Sequence, residues 1–220
     1  MPKVIVSLAS WPPRAPYIAG CVESLLNQTL VPTEINLNLS ALEWENREAS
    51  LPDDVQKLIN DNKLVVNWEE GNTYCFRKEI PVVKKYWGQD ALILSVDDDV
   101  RYDELFVEKM VENLGDYDAY NSDPGVVGFR QIARLTKYNP DFWLKCNQEV
   151  IDAGISDTWN FWWLTSVGAR CKWGPEDKEL CNMCKCVAGD VSPNSERIGG
   201  YNVTTMTRAD KASRKALGLC

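Results

Sequence analysis

Short apolar runs alternate with amphipathic stretches through the first hundred residues. Val4 to Leu8 is apolar apart from Ser7 and opens into Ala9-Ser10-Trp11-Pro12-Pro13-Arg14, which predicts a buried strand ending in a loop. Ile18, Cys21, Val22, Leu25 and Leu26 recur at helical spacing, so residues 16–27 are expected to form an amphipathic helix. Ile35 to Leu39 reads INLNL and predicts a second strand; Val55, Leu58 and Ile59, after Pro52-Asp53-Asp54, mark a short helix. Leu64 to Trp68 predicts a third strand. Ile80, Val83 and Tyr86 or Trp87 mark another helix, which passes through Gly88 to a strand at 91–96. Four alternations at this spacing predict an α/β fold: a mostly parallel central sheet flanked by helices. Ligands of such sheets bind beyond the carboxyl ends of the strands.

The pattern is less regular after residue 100. A helix is expected near 104–114, a strand at Gly125 to Phe129, and a loop-rich stretch containing Tyr138 and Trp143. Asp157 to Val167 (DTWNFWWLTSV) reads as an apolar helix capped by Ser156 or Asp157. Residues 174–200 read as a long excursion, and Asp210 to Leu217 as a short closing helix. With no linker, repeat or low-complexity tract, residues 1–220 are expected to form one domain. The abrupt end at Leu219-Cys220 leaves open a longer parent chain.

The strongest chemical signal is LILSVDDDVRY at Leu92 to Tyr102. A buried strand that delivers Asp97, Asp98 and Asp99 to its tip builds a hard-cation site, because adjacent carboxylates repel unless a metal or cationic ligand compensates them. An acidic turn that caps the next helix is the plainer alternative, but a cap needs only one such residue.

Composition narrows the rest. A formal charge of −8 and a pI near 4.7 argue against a nucleic-acid partner. No apolar run reaches membrane-spanning length, and MPKVIVSLASWPPR is interrupted too early for a signal peptide, so a cytoplasmic location is expected, the host cytoplasm if the source is viral. The N-x-Ser/Thr triplets at Asn27, Asn38 and Asn202 then count as chance matches. The chain has no histidine, which removes Ser-His and Cys-His nucleophiles and imidazole bases. Cys181, Cys184 and Cys186 in CNMCKC, with Cys171 upstream, offer sulfur ligands, but no second CxxC closes a zinc site, and ordinary thiols are the preferred reading.

An acidic triplet at the fourth strand of an open sheet resembles the DxD motif of GT-A glycosyltransferases. The opening VIVSLASWPPR, followed by SLLNQTLVPTEINLNLS, resembles that of small bacterial and viral enzymes of this fold; so do TYCFRKEIPVVKKYW and SDTWNFWW. The chain is also similar to the small glycosyltransferase domain of chlorella-virus capsid glycosylation proteins. The likeness covers about residues 3–170, with a weaker echo at 207–217.

This resemblance implies a GT-A (Rossmann-like) domain, with 1–100 as its nucleotide-binding half and 101–220 as its acceptor-binding half, that moves a sugar from a UDP-sugar to a hydroxyl of a glycan or glycoprotein, as in viral capsid glycosylation. It implies a nucleotide pocket with Ser7, Ala9 and Arg14 near the base or phosphates, Lys78 facing the nucleotide and Arg77 assisting. Asp97 would meet the nucleotide and share with Asp99 a divalent cation, Mn²⁺ or Mg²⁺, with Asp98 supporting either and a late carboxylate such as Asp190 completing the shell. Asp157 aligns with an acid preceding the family's aromatic helix and would be the general base of an inverting displacement; a retaining route needs no such base. Trp159 and Trp162 are the candidate acceptor platform, against the commoner reading of helical aromatics as core. A sugar-phosphate nucleotidylyltransferase lacks its Gly-rich signature here, and a carbohydrate-binding module would not need the triplet.

Overall fold

The computed structural model describes residues 2–121, 131–137, 141–173, 178–187, 197–200 and 202–219. Strands β1 (Lys3–Ala9), β2 (Glu34–Ser40), β3 (Val65–Glu69) and β4 (Ala91–Ser95) fall where the apolar runs predict them. Between them lie helices α1 (Ala15–Leu26), α2 (Asp53–Asn60) and α3 (Ile80–Lys85). Then follow β5 (Val100–Tyr102), α4 (Phe106–Leu114), β6 (Ala119–Asn121), β7 (Gln131–Ala133), α5 (Asp141–Leu144), α6 (Gln148–Ala153), α7 (Ser156–Ser166), β8 (Cys171–Trp173), α8 (Lys178–Asn182), β9 (Cys184–Cys186) and α9 (Val203–Leu217).

The central sheet runs β3-β2-β1-β4-β7-β6-β8. Its first four strands are parallel, as crossover connections require; β7 joins antiparallel to β4 and to β6, and β8 lies parallel to β6. Alternate residues of each strand feed opposite cores. Val4, Val6, Leu8, Leu92 and Leu94 pack against α1 and α4 on one face, whereas Ile5, Ala91 and Ile93 pack against α3, α7 and α9 on the other. On β2 the alternation INLNL suggests a solvated face, yet Asn36 and Asn38 are fully buried. They pair instead of hydrating: Asn67 Nδ2 donates to both side-chain oxygens, and Asn38 Nδ2 donates to Ser7 Oγ.

Departures from the expected elements have local causes. The stretch around Trp143 contains two short helices, and Trp143 packs edge-on against Trp87 at 5.3 Å. The strand expected at Gly125 to Phe129, and Tyr138, lie outside the described residues. Helix α7 begins at Ser156, with Ile155 as its N-cap and no side-chain cap, so neither Ser156 nor Asp157 caps it. Helix α9 starts seven residues before the expected Asp210, because Asn202 closes a capping box with Thr205. Within 174–200, β9 pairs with β5 in a small second sheet. Among the described residues no helix is long and apolar enough to cross a membrane.

Replacing Asn202 by Ala should cost about 1 kcal/mol of stability through the lost cap. Urea denaturation will read this as a lower midpoint with an unchanged slope.

Candidate active site

Strand β1 ends at Ala9, paired in register with Asn38, and the chain turns through Ser10 and Trp11 into the 3-10 turn Pro12–Arg14. Strand β4 ends beside it at Ser95, and the acidic triplet follows. Both carboxyl ends therefore deliver their loops to one edge of the sheet. Tyr74–Lys78, a second 3-10 turn, lies over the same edge, tied down where Ser7 Oγ donates to the Lys78 carbonyl at 2.5 Å. Ser7 is fully buried, so its hydroxyl holds this turn rather than opening to a ligand.

The three carboxylates divide. Asp98, 3% exposed, accepts from Arg14 Nη1 at 2.9 Å and from Ser10 Oγ at 2.5 Å. Burial pushes its carboxyl above the usual range, against the pull of Arg14 and Ser10. Arg14 loses hydration but gains Asp98 and Asp99, and its guanidinium is held more firmly protonated. Asp99 is held more loosely, by the same Arg14 nitrogen at 3.1 Å and by the Cys186 thiol, which donates to Oδ2 at 3.6 Å. Asp97 is the most open of the three and forms an ion pair with Lys78. Burial would lower the Lys78 pKa, but Asp97 outweighs it and the ammonium is favoured.

Behind the triplet, Cys21 Sγ and Tyr102 Oη donate to the Asp97 carbonyl, and the Val187 amide donates to that of Asp99 at 2.8 Å. Cys184 and Cys186 thus belong to a strand that straps the acidic loop. The side chain of Cys181 lies outside the described residues. Among the described residues no three His, Cys, Asp or Glu side chains converge on one point. Asp98 is committed to Arg14 and Ser10; Asp97 and Asp99, each paired with one cation, are oxygen donors of the kind that hold Mg²⁺ or Mn²⁺ through one or two carboxylates plus substrate phosphates. Asp190 lies outside the described residues.

Asp157 stands in the first turn of α7, half-buried. Burial raises its pKa to about 7, Lys78 opposes the shift and Asp97 reinforces it. A carboxylate titrating near neutrality can accept and return a proton. Glu79, which sequence reasoning passed over, is 2% exposed beneath it and is pushed to about 8 by burial and then by Asp157. A signal was present: Glu79 precedes Val82, Val83 and Tyr86 at helical spacing, an acid on a buried stripe.

Two further expected site residues are placed elsewhere. Arg77 is 5% exposed; it donates to Glu43 at 2.7 Å, to the Tyr74 carbonyl and to the Ser10 carbonyl, so it braces the β1 loop rather than meeting a nucleotide. Trp159 is fully buried against Phe142 and offers no face to a sugar, because its helix face is the one pressed on the core. Trp162 is half-buried, donates to Asp210 at 2.7 Å and lies under Arg214. Phe161, one helical turn beyond Asp157 and 38% exposed, is the aromatic on the Asp157 side.

No family model and no curated protein matches the sequence. Solved structures do. The chain aligns over its whole length with 81% of glucosyl-3-phosphoglycerate synthase from Mycobacterium tuberculosis in complex with UDP, at 11% identity and a TM-score of 0.59. It aligns equally with 76% of a mycobacterial protein, again at 11% identity and a TM-score of 0.59. Over 80% of its length it matches S. aureus TarS at 14% identity and a TM-score of 0.54. The chain has the GT-A fold. It spans less than half of the TarS chains, 47% of TarS 1-349 and 35% of TarS.

Removing Arg14 strands two buried carboxylates. Arg14→Leu should destabilise the protein by roughly 3–5 kcal/mol in chemical denaturation, and adding Asp98→Asn should recover part of that loss. Asp157 gives a separate, pH-dependent outcome. Its folded pKa lies above the unfolded value, so the folded state keeps a proton that the unfolded chain releases, and this contribution to stability is lost as pH rises from about 4 through about 7. Asp157→Asn should therefore gain on the wild type as pH rises across that window, read as urea midpoints at acid and mildly alkaline pH.

Proposed function

We propose that this protein is a divalent-metal-dependent glycosyltransferase that moves a sugar from a UDP-sugar to a hydroxyl of a glycan or glycoprotein, with inversion. One observation carries the reading: Arg14, Lys78 and the triplet Asp97-Asp98-Asp99 meet at the carboxyl edge of a parallel sheet, within electrostatic reach of Asp157. A diphosphate needs cations, and Arg14 and Lys78 stand at this edge. The UDP present in the mycobacterial synthase structure supports the choice of nucleotide.

In this reading Lys78 and Arg14 attract the diphosphate oxygens, each exchanging part of its carboxylate contact for phosphate. Asp97 and Asp99 would hold a Mn²⁺ or Mg²⁺ ion, whose charge would offset that of the departing diphosphate. Asp157 accepts the proton of the acceptor hydroxyl as that oxygen attacks the sugar carbon from the face opposite the leaving group. Phe161, beside Asp157, takes the platform role expected of Trp159, stacking on the apolar face of the acceptor sugar. Asp98 does no chemistry; with Ser10 and Arg14 it fixes the loop that presents its two neighbours.

Calorimetric titration with UDP should show binding that requires Mn²⁺; the absence of binding with and without the ion would sink the proposal. Asp99→Asn should abolish metal-dependent hydrolysis of a UDP-sugar with the fold intact. Asp157→Asn should retain UDP binding and lose transfer across a panel of UDP-sugars, and normal transfer by this variant would remove Asp157 from the base role.

A further inference from the structure

Glu79 is a buried acid that the transfer step leaves unused. Its Oε1 accepts from Ser95 Oγ at 2.9 Å, whereas its Oε2 is buried without a partner. Asn160, 1% exposed, lies within hydrogen-bonding reach of the Glu79 carboxyl, and its own Oδ1 is likewise buried and unpartnered. Asn160 Nδ2 is engaged, donating to Gln131 Oε1 at 2.8 Å. Ser95 and Gln131 are register partners across β4 and β7. A polar seam thus runs from the turn that carries Lys78, across two strand ends, to α7, where Asn160 sits one turn after Asp157.

Glu79 Oε2 and Asn160 Oδ1 are each buried without a partner, and each has lost its water. One hydrogen on Glu79 Oε2 resolves both, since the acid then donates to Asn160 Oδ1 while still accepting from Ser95. We propose that Glu79 is a positioning residue that remains a neutral acid, spans Ser95 and Asn160, and so holds α7 with Asp157 facing Lys78. This deepens the transferase reading and rests on it for the role of Asp157. The titratable groups around Glu79 are Asp157 on α7, Lys78 beside it in the chain, and the thiols of Cys75 and Cys146. Burial first, then Asp157, favours the neutral form, with Lys78, Ser95 and Asn160 opposing, and the titration falls at about pH 8. Above that pH the seam loses its hydrogen and gains a charge close to Asp157.

Infrared difference spectra between pH near 7 and pH about 9 test the protonation without any substrate. The expected result is a protonated-carboxyl band at the lower pH that is stronger in the wild type than in Glu79→Gln, where Asp157 alone contributes. Bands of equal strength in the two proteins overturn the proposal. For positioning, Glu79→Gln keeps a donor and an acceptor while Glu79→Leu keeps neither. The Gln variant should therefore exceed the Leu variant by roughly tenfold in kcat for UDP-sugar hydrolysis, with UDP affinity alike in both. The wild type should lose rate above about pH 8 and Glu79→Gln should not. Equal rates in the two variants, or one pH profile shared by wild type and Glu79→Gln, overturn the role. Loss of UDP binding by the wild type would refute the transferase reading instead, and the infrared band would still report on Glu79.

Discussion

Three consecutive carboxylates at the end of a buried strand can be folded only if positive charge is brought to them, and the ion pairs of Arg14 and Lys78 meet that constraint. Asp98 is too deeply buried to be left to solvent, so the loop after β1 must return Arg14 and Ser10 to it. That return explains the Pro12–Arg14 turn, which fixes backbone angles with two prolines just where the guanidinium has to be aimed. Lys78 imposes the matching demand on the other side: the turn Tyr74–Lys78 must lie across the sheet edge, and Ser7 and Arg77 pin it there.

Much of the surrounding structure serves the same loop. Strand β9 adds backbone bonds to β5 immediately after the triplet, and Cys186 reaches Asp99 from it. Cys21 and Tyr102 fix the Asp97 carbonyl from below. An arrangement held from this many directions keeps two carboxylates and two cations at fixed separations. Cys184 and Cys186 therefore have a structural role that their spacing alone leaves undecided.

Polar residues inside the sheet make a second layer of constraint. Ser7, Asn36, Asn38 and Ser95 all point to the face opposite the larger apolar core, and they meet the polar ends of Asn67, Glu79 and the Lys78 carbonyl. Buried polar groups of this kind hold an element in one register, because a slip would leave several of them unpaired. The face that carries them lies under Asp157 and α7, so precision in the interior becomes precision at the site.

Local pattern was sufficient for the first half of the fold. Period-2 and period-3.6 repeats of Val, Ile and Leu placed β1 to β4 and α1 to α3 within a residue or two, and the run LILSVDDD located the acidic edge, because apolar burial is dictated by the nearest neighbours in sequence. The short strands and helices after residue 115 were less legible, since three-residue strands carry too little periodicity. Family resemblance assigned expected roles to Asp97, Asp98, Asp99, Arg14, Lys78 and Asp157, but not the way they pair. Only the tertiary structure decided that Arg14 belongs to Asp98 and Asp99, that Arg77 belongs to Glu43, that Trp159 is core, and that Glu79 is buried beneath Asp157. The physical reason is that charge pairing and desolvation are set by groups tens of residues apart in the chain, which meet only after the sheet has formed.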